Sequence, residues 1–293
     1  MEIRTLRYFL AAAREENMTR AAETLHVTQP TLSKQLKSLE EELGKKLFIR
    51  HSFSIQLTDE GMLLRKRAQD LLTMADKITE EFQSLDDITG GDLYLGLAES
   101  YQIRYLAQTI RRFKEKYPNM HYHITSGDTE QVTEKLDKGI LDFAVIVEEP
   151  DLTKYDAIEL PETDKWVVVM PSDNPLAKKQ FIIPADLIGK PLFCSDQSWK
   201  KDIPRWAGND MEHLKLEGSF RLSYNGAIFA REGLGYLLTF DHLIDTGSGS
   251  GLVSRPLYPP LENKMYIIWK KYQMFSGIAE RFLKELQETP TAS

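Results

Sequence analysis

The chain has 293 residues, 42% of them hydrophobic and 28% charged, with a net charge of −7 and one cysteine, Cys194. That length suits roughly two domains. A single cysteine excludes an internal disulfide framework, and no apolar run approaches the ~18 residues of a membrane span. The N-terminal MEIRTLRYFLAAAREE has only a short apolar core flanked by acids and is not a secretory signal, so a cytoplasmic protein is expected. The excess acid argues against phosphate binding by the chain as a whole, but residues beyond 80 hold most of it.

Leu6, Phe9, Leu10 and Ala13 recur at helical spacing over residues 3–16. A second short helix opens near Thr19, read as its N-cap, and turns Ala21, Ala22 and Leu25 inward. In HVTQPTLSKQLKSLE, 26–40, Thr28 caps a third helix. Pro30 is tolerated in its first turn, where its missing N–H has no intrahelical partner. The same proline would break a continuous helix, so it marks a turn between two. Leu32, Leu36, Leu39 and Leu43 form the core stripe, with Pro30, Lys34 and Lys37 opposite and Ser33 and Ser38 beside them. Gly44 ends the helix. Small polar groups at the helix start can reach base edges in a major groove, and the lysines beyond can meet phosphate. KKLFIRHSFSIQLTDEG then reads as two short strands with a turn near His51–Ser54.

The run AAETLHVTQPTLSKQLKSLEEELGKKLFIR, 21–50, resembles the DNA-binding domain of LysR-type transcriptional regulators. It carries that family's A-A-x-x-L, V-T-Q-P, L-S-x-Q-L-x-x-L-E, L-G and L-F-x-R elements in order and spacing. The order of parts along the rest of the chain fits the family too. The resemblance implies base and phosphate contacts at Gln29, Pro30, Thr31, Ser33 and Lys34. The helix face adds Lys37, and Arg50 stands at the wing. Family wings usually carry one or two basic residues in the turn. Here the turn reads HSFS, with His51 its one ionisable group, which predicts weaker nonspecific binding than a more basic wing would give.

Thr58 caps a long helix running to about Leu85. Leu64, Ala68, Leu71, Ala75, Ile78, Phe82 and Leu85 alternate spacings of four and three, a heptad seam for a second copy of the chain. Burial against the chain's own domains is the alternative. The boundaries expected are a winged helix-turn-helix domain at 1–58, a linker helix at 59–88 and an effector domain at 89–293. Gly90 and Gly91 form a hinge.

Beyond the hinge, strands and helices alternate, implying mainly parallel sheets covered on both sides. Two such sets, 91–161 with 266–293 and 162–265, make two Rossmann-like lobes. They resemble the family's effector domain, which shares its architecture with periplasmic solute-binding proteins. Ligands in such folds sit beyond the carboxyl ends of strands, near helix starts. Those ends are Glu99, Ser100 and Tyr101; Gly127, Asp128 and Thr129; Glu148; Phe193, Cys194 and Ser195; Asn225; and Phe240. The resemblance points to Ser100, the 127–129 turn and the 193–195 strand end. Asp128 with Gln131 also fits a capping box, and Tyr224 and Phe240 equally fit a core. Glu99, Glu148, Glu149 and Asp196 cluster there without a clear arginine partner. That favours a neutral or amine-bearing effector, or an anion that meets Lys200 or Arg221.

Other chemistries have weaker claims. His121 and His123 share a strand face, but a third metal ligand is missing. GSGSG at 247–251 lacks the flanking strand and helix of a phosphate loop. Cys194 has no second thiol to resolve it, and Trp199 and Trp206 fit either the cleft or a helix packing. The expectation is a non-enzymatic regulator without cofactor or metal, dimeric or tetrameric. Its partners would be double-stranded promoter DNA and a small-molecule effector, and a contact with RNA polymerase is compatible with that role.

Overall fold

The computed structural model describes residues 1–51, 54–83 and 90–288. The chain forms two compact units, Met1–Gln83 and Ser84–Ser293. No helix among the described residues is long and apolar enough to cross a membrane.

The first unit runs α1 (Ile3–Glu15), α2 (Met18–Thr24), α3 (Gln29–Leu43), β1 (Phe48–Arg50), β2 (Ile55–Leu57) and α4 (Asp59–Gln83). Asn17, not Thr19, caps α2: it is extended, and its Oδ1 accepts from the N–H groups of Thr19 and Arg20 at 2.9 and 3.0 Å. Thr19 already lies inside the helix. The α2–α3 turn closes with Val27 N–H donating to Ala22 O, and His26 holds a left-handed φ of 54°. Thr28 Oγ1 then accepts from Thr31 N–H, and Gly44 ends α3 at a φ of 64°.

Leu32, Leu36 and Leu39 are sealed against Leu6, Phe9, Ala21 and Ala22, each leucine contributing about 1.5–3 kcal/mol. Leu43 is the exception to the expected stripe and stays exposed, because it stands on the last turn, where the chain turns away at Gly44. The buried place near that end goes to Glu40. β1 and β2 pair antiparallel with Phe48 opposite Leu57 and Arg50 opposite Ile55. Of the wing's expected turn, Ser52 and Phe53 lie outside the described residues.

Thr58 caps α4 as expected, accepting from Gly61 N–H at 3.0 Å and donating to Lys46 O at 2.7 Å. A Cβ on Gly61 would sit 2.3 Å from Leu47 O, so only glycine allows this helix start so close to the wing. The expected seam divides. Ala68 is fully buried and Leu64 half-buried in the unit's own core, together with Leu72, so the first two seam positions serve internal packing. Leu71, Ile78 and Phe82 are exposed and Ala75 half-buried. Leu85 lies outside the described residues.

In the second unit the order is β3 (Gly90–Leu97), α5 (Ile103–Lys116), β4 (Asn119–Ser126), α6 (Thr129–Asp137), β5 (Phe143–Ile146) and β6 (Tyr155–Glu159). It continues with β7 (Asp164–Pro171), β8 (Pro191–Ser195), α7 (Asp196–Ala207), β9 (Lys215–Phe220), α8 (Ser223–Arg231), β10 (Tyr236–Phe240) and β11 (Leu252–Pro256). β12 (Glu262–Asn263), β13 (Tyr266–Lys270) and α9 (Gly277–Glu288) complete it. One sheet has the order β4-β3-β5-β13-β6 and the other β11-β7-β10-β8-β9, with β12 also paired to β7. The chain crosses between them after β6 and again between β12 and β13.

In each five-strand order four strands run in one direction, as expected, and one is reversed. β3, β4, β5 and β6 run one way and β13 alone runs against them; β8, β9, β10 and β11 run one way and β7 alone runs against them. The two crossings force this, because a strand entering from the other lobe arrives from the opposite end. Gly90 and Gly91 are not a hinge; they pair in β3 with Asn119 and Met120. The segment before them, 84–89, lies outside the described residues. The helix expected near 199–214 starts earlier, at Asp196 with Ser195 as its cap, and gives way to a 3₁₀ turn over Gly208–His213. One apolar cluster runs from Leu93 and Phe143 in the first lobe to Trp166, Leu192 and Cys194 in the second.

Candidate nucleic-acid interface and ligand cleft

The outward face of α3 holds Gln29, Pro30, Thr31, Lys34 and Lys37, all exposed, with Ser33 half-buried beside them. The helix starts at Gln29, so the first side chains sit over N–H groups with no intrahelical acceptor, where the backbone itself favours an anion such as phosphate. Several of these residues have local partners. Thr31 shares its hydroxyl with Thr28 at 2.8 Å, and Lys37 stands 3.6 Å from Glu41. Arg50 reaches back from the wing to donate to Ser33 Oγ at 3.1 Å, bringing together two residues expected to touch DNA.

What the sequence hid is the joint behind this face. Glu40 Oε1 accepts from the N–H groups of Leu47 (2.8 Å) and Phe48 (3.3 Å), and its other oxygen takes the Lys46 ammonium at 3.1 Å. Burial opposes ionisation here, but the Leu47 N–H, Lys46 and the Phe48 N–H together outweigh it and hold the carboxyl below its ordinary value. Recognition helix and wing are thereby fixed to each other. The signal was an acid flanking the leucine stripe at about 70° from its centre, which reads as solvated until the wing is placed.

The cleft of the second unit lies between its two lobes. Its inner chamber, about 60 Å³, is lined by Glu99, Gly127, Asp128 and Val147 from one lobe and Trp166, Ser195, Ser198, Arg221, Ser223, Thr239 and Phe240 from the other. An outer mouth of about 550 Å³ shares Asp128, Ser195 and Arg221 with it and adds Thr129, Glu148, Lys200 and Lys201. The chamber is large enough for only a few waters, since each takes roughly 10–15 Å³ by such a measure.

Three helix starts converge on this space, each with a protein cap. Asp128 caps α6 through a full capping box with Gln131. Ser195 Oγ accepts from Ser198 N–H at the start of α7. At α8 the N-cap is Leu222, which has no acceptor; instead Glu99 Oε2, from the opposite lobe, accepts from Ser223 N–H at 2.6 Å. Thr129 and Gln197 exchange two further hydrogen bonds between the lobes at 3.3 Å, and Lys201 pairs with Glu148. Glu148 therefore does have a basic partner and Glu99 a backbone one, with Arg221 also 3.8 Å from Asp128.

Other expected positions stand elsewhere. Ser100 is buried and accepts from Gln102 N–H at 2.9 Å. Tyr101 packs on His242, and Asn225 and Tyr224 are exposed outside the chamber. Phe193 faces Phe229 behind the sheet, and Cys194 is wholly buried, its thiol pushed up by that burial and by nearby Asp202. Phe240 is both core and cleft: it meets Trp166 edge-on and lines the chamber. Trp206 is buried in α7 and Trp199 packs against the core; neither lines the cleft. His123 pairs with Asp92 at 2.7 Å and stacks on Tyr94, and among the described residues there is no cluster of three potential metal ligands. Ser223, Gln197, Ser198, Trp166 and Lys201 were missed, since none ends a strand, while Arg221 and Lys200, named in advance, do line the cleft.

A winged helix-turn-helix head with a two-lobed α/β unit defines a class of ligand-responsive DNA-binding regulators. Residues 3–62 match the family model "Bacterial regulatory helix-turn-helix protein, lysR family", and residues 87–290 match "LysR substrate binding domain". The HTH-type transcriptional regulator BsdA of Bacillus subtilis (strain 168) is 33% identical over 220 residues, 74% of each chain. The Hca operon transcriptional activator HcaR of Escherichia coli (strain K12) is 32% identical over 303 residues, 98% of each. The crystal structure of CbnR, a LysR family transcriptional regulator, has the same fold, with a TM-score of 0.78 over the whole of both chains at 18% identity. This chain belongs to the LysR family: it is a DNA-binding transcriptional regulator with a substrate-binding domain, and not an enzyme.

Proposed function

We propose that α3 enters a major groove of promoter DNA with Gln29, Pro30 and Thr31 toward base edges and Ser33, Lys34, Lys37 and Arg50 toward phosphate. The observation that carries this is the division of α3 into a sealed leucine stripe and an outward face whose only charges before Glu40 are lysines. Arg50 exchanges Ser33 for phosphate on binding. CbnR, which shares this fold, has been crystallised with its target DNA. Leu71, Ala75, Ile78 and Phe82, an apolar stripe on α4, pair with a second copy of the chain, which sets two heads on one operator. The protein acts in the cytoplasm, where RNA polymerase is a further partner. A small effector held between the lobes, among Glu99, Asp128, Thr129, Ser195 and Phe240, shifts their closure and so the heads.

The test is binding to the DNA upstream of the coding region. Gln29→Ala with Lys34→Ala is expected to weaken specific binding by about 1–3 kcal/mol for the lost base contact and to lower the salt slope by about 1 for the lost phosphate contact. Unchanged affinity and slope would remove α3 from the interface.

A further inference from the structure

We propose that Glu99 is a built-in ligand of the cleft. Its carboxylate fills the anion position at the start of α8, holds the lobes together when no effector is bound, and makes the site discriminate against simple carboxylates. An effector that succeeds here offers hydrogen-bond donors or a cationic nitrogen to the second Glu99 oxygen. The inference deepens the effector-cleft reading and rests on it.

Geometry carries the argument. α8 begins with Leu222 at its N-cap, a side chain that can accept nothing, so the N–H of Ser223 takes its acceptor from Glu99, 124 residues away and across the cleft. The start of α8 is held firmly in place, because Ser223 Oγ and Thr239 Oγ1 share a hydrogen bond of 2.8 Å in the buried wall. The neighbouring helix start, α6, is likewise capped by a carboxylate, Asp128. An incoming anion thus finds two of the three converging helix starts already neutralised by fixed negative charge. The dipoles that would attract it are spent on the chain's own acids. Arg221, among the described residues the one cation lining the inner chamber, leans toward Asp128. What is left facing a ligand is hydroxyl and aromatic: Ser195, Thr239, Trp166 and Phe240.

Removing the carboxylate should open a vacancy of known chemistry, which acetate can fill. The full-length wild type, Glu99→Ala and Glu99→Gln are melted in sodium acetate and in sodium chloride of equal ionic strength. Glu99→Ala is expected to melt about 2–4 °C below wild type, as for a lost helix cap, and acetate should restore most of that loss. Wild type and Glu99→Gln should show no acetate-specific shift, since the position is occupied in both. Absence of rescue in Glu99→Ala, or an equal acetate shift in all three, would overturn the proposal. The same samples are then assayed for operator binding. Rescue in the melt without any change in DNA binding would keep Glu99 as the internal ligand but refute the cleft as the control site. A failed rescue refutes the internal ligand whatever the DNA assay gives.

Discussion

On α3 the residues proposed to face DNA follow one another within nine positions and share one side of one helix, whereas Glu99 and Ser223 meet across 124 residues of chain. The head presents a surface that is finished once a single helix is packed. The effector unit has no such surface until two sheets, linked by two crossings, have taken their places. A local surface tolerates much around it so long as its leucine stripe stays buried. A composite one depends on side chains that tie distant segments together, and those ties are its weak points.

That contrast is open to measurement. The largest effect is expected from Leu36→Ala, which empties the centre of the α3 stripe and should cost the first unit about 3.5 kcal/mol in denaturant unfolding. The transition of the second unit should not move; a joint shift would show that the head is not a self-sufficient body. Next comes Asn263→Ala. Asn263 is buried where the chain crosses between lobes; it accepts from Trp166 Nε1 at 3.0 Å and donates to Asp202 at 2.9 Å and to Val147 O at 3.3 Å. Its loss strands three groups from three segments and should cost about 2.5 kcal/mol, read in the second transition. An effect below that of an ordinary surface substitution would mean the crossing is held by its apolar neighbours alone.

Smallest of the three is Glu40→Gln, at about 1.5 kcal/mol near neutral pH. The folded carboxyl titrates below its ordinary value of 4.5. Its contribution is therefore complete above that pH and drains away as the pH falls through the folded value. The gap between wild type and Glu40→Gln in urea unfolding should be flat at neutral pH and narrow below 4.5; a gap that widens in acid would reverse the assigned sign.

Periodicity and caps made the head readable in advance. Leu32, Leu36, Leu39, Thr28, Pro30 and Gly44 each announce themselves within a few residues, and the two strands of the wing follow. Glu40 did not, because its partners are N–H groups on a wing whose position no local pattern fixes. In the second unit, strand ends were readable but their facing was not. A strand turns alternate side chains to opposite faces, so Ser195 reaches the cleft while Cys194, one step back, is interior. The acids at the cleft looked unpaired because Lys201, Arg221 and the N–H of Ser223 come from the other lobe. The one reversed strand of each sheet escaped for a related reason: β7 and β13 enter from the other lobe, so the crossings set their direction.

The division of α4 has a mechanical consequence. Its early turns are cemented into the head through Ala68 and Leu72, with Arg7 clamped to Asp76 at 2.6 Å, while its far end shows Ile78 and Phe82 to the outside. Helix and head thus move as one rod, 25 residues and about 37 Å long. In the proposed pairing of two copies through α4, the grip on the handle would aim the tip, and the way two handles clasp would decide the spacing at which two tips meet a duplex.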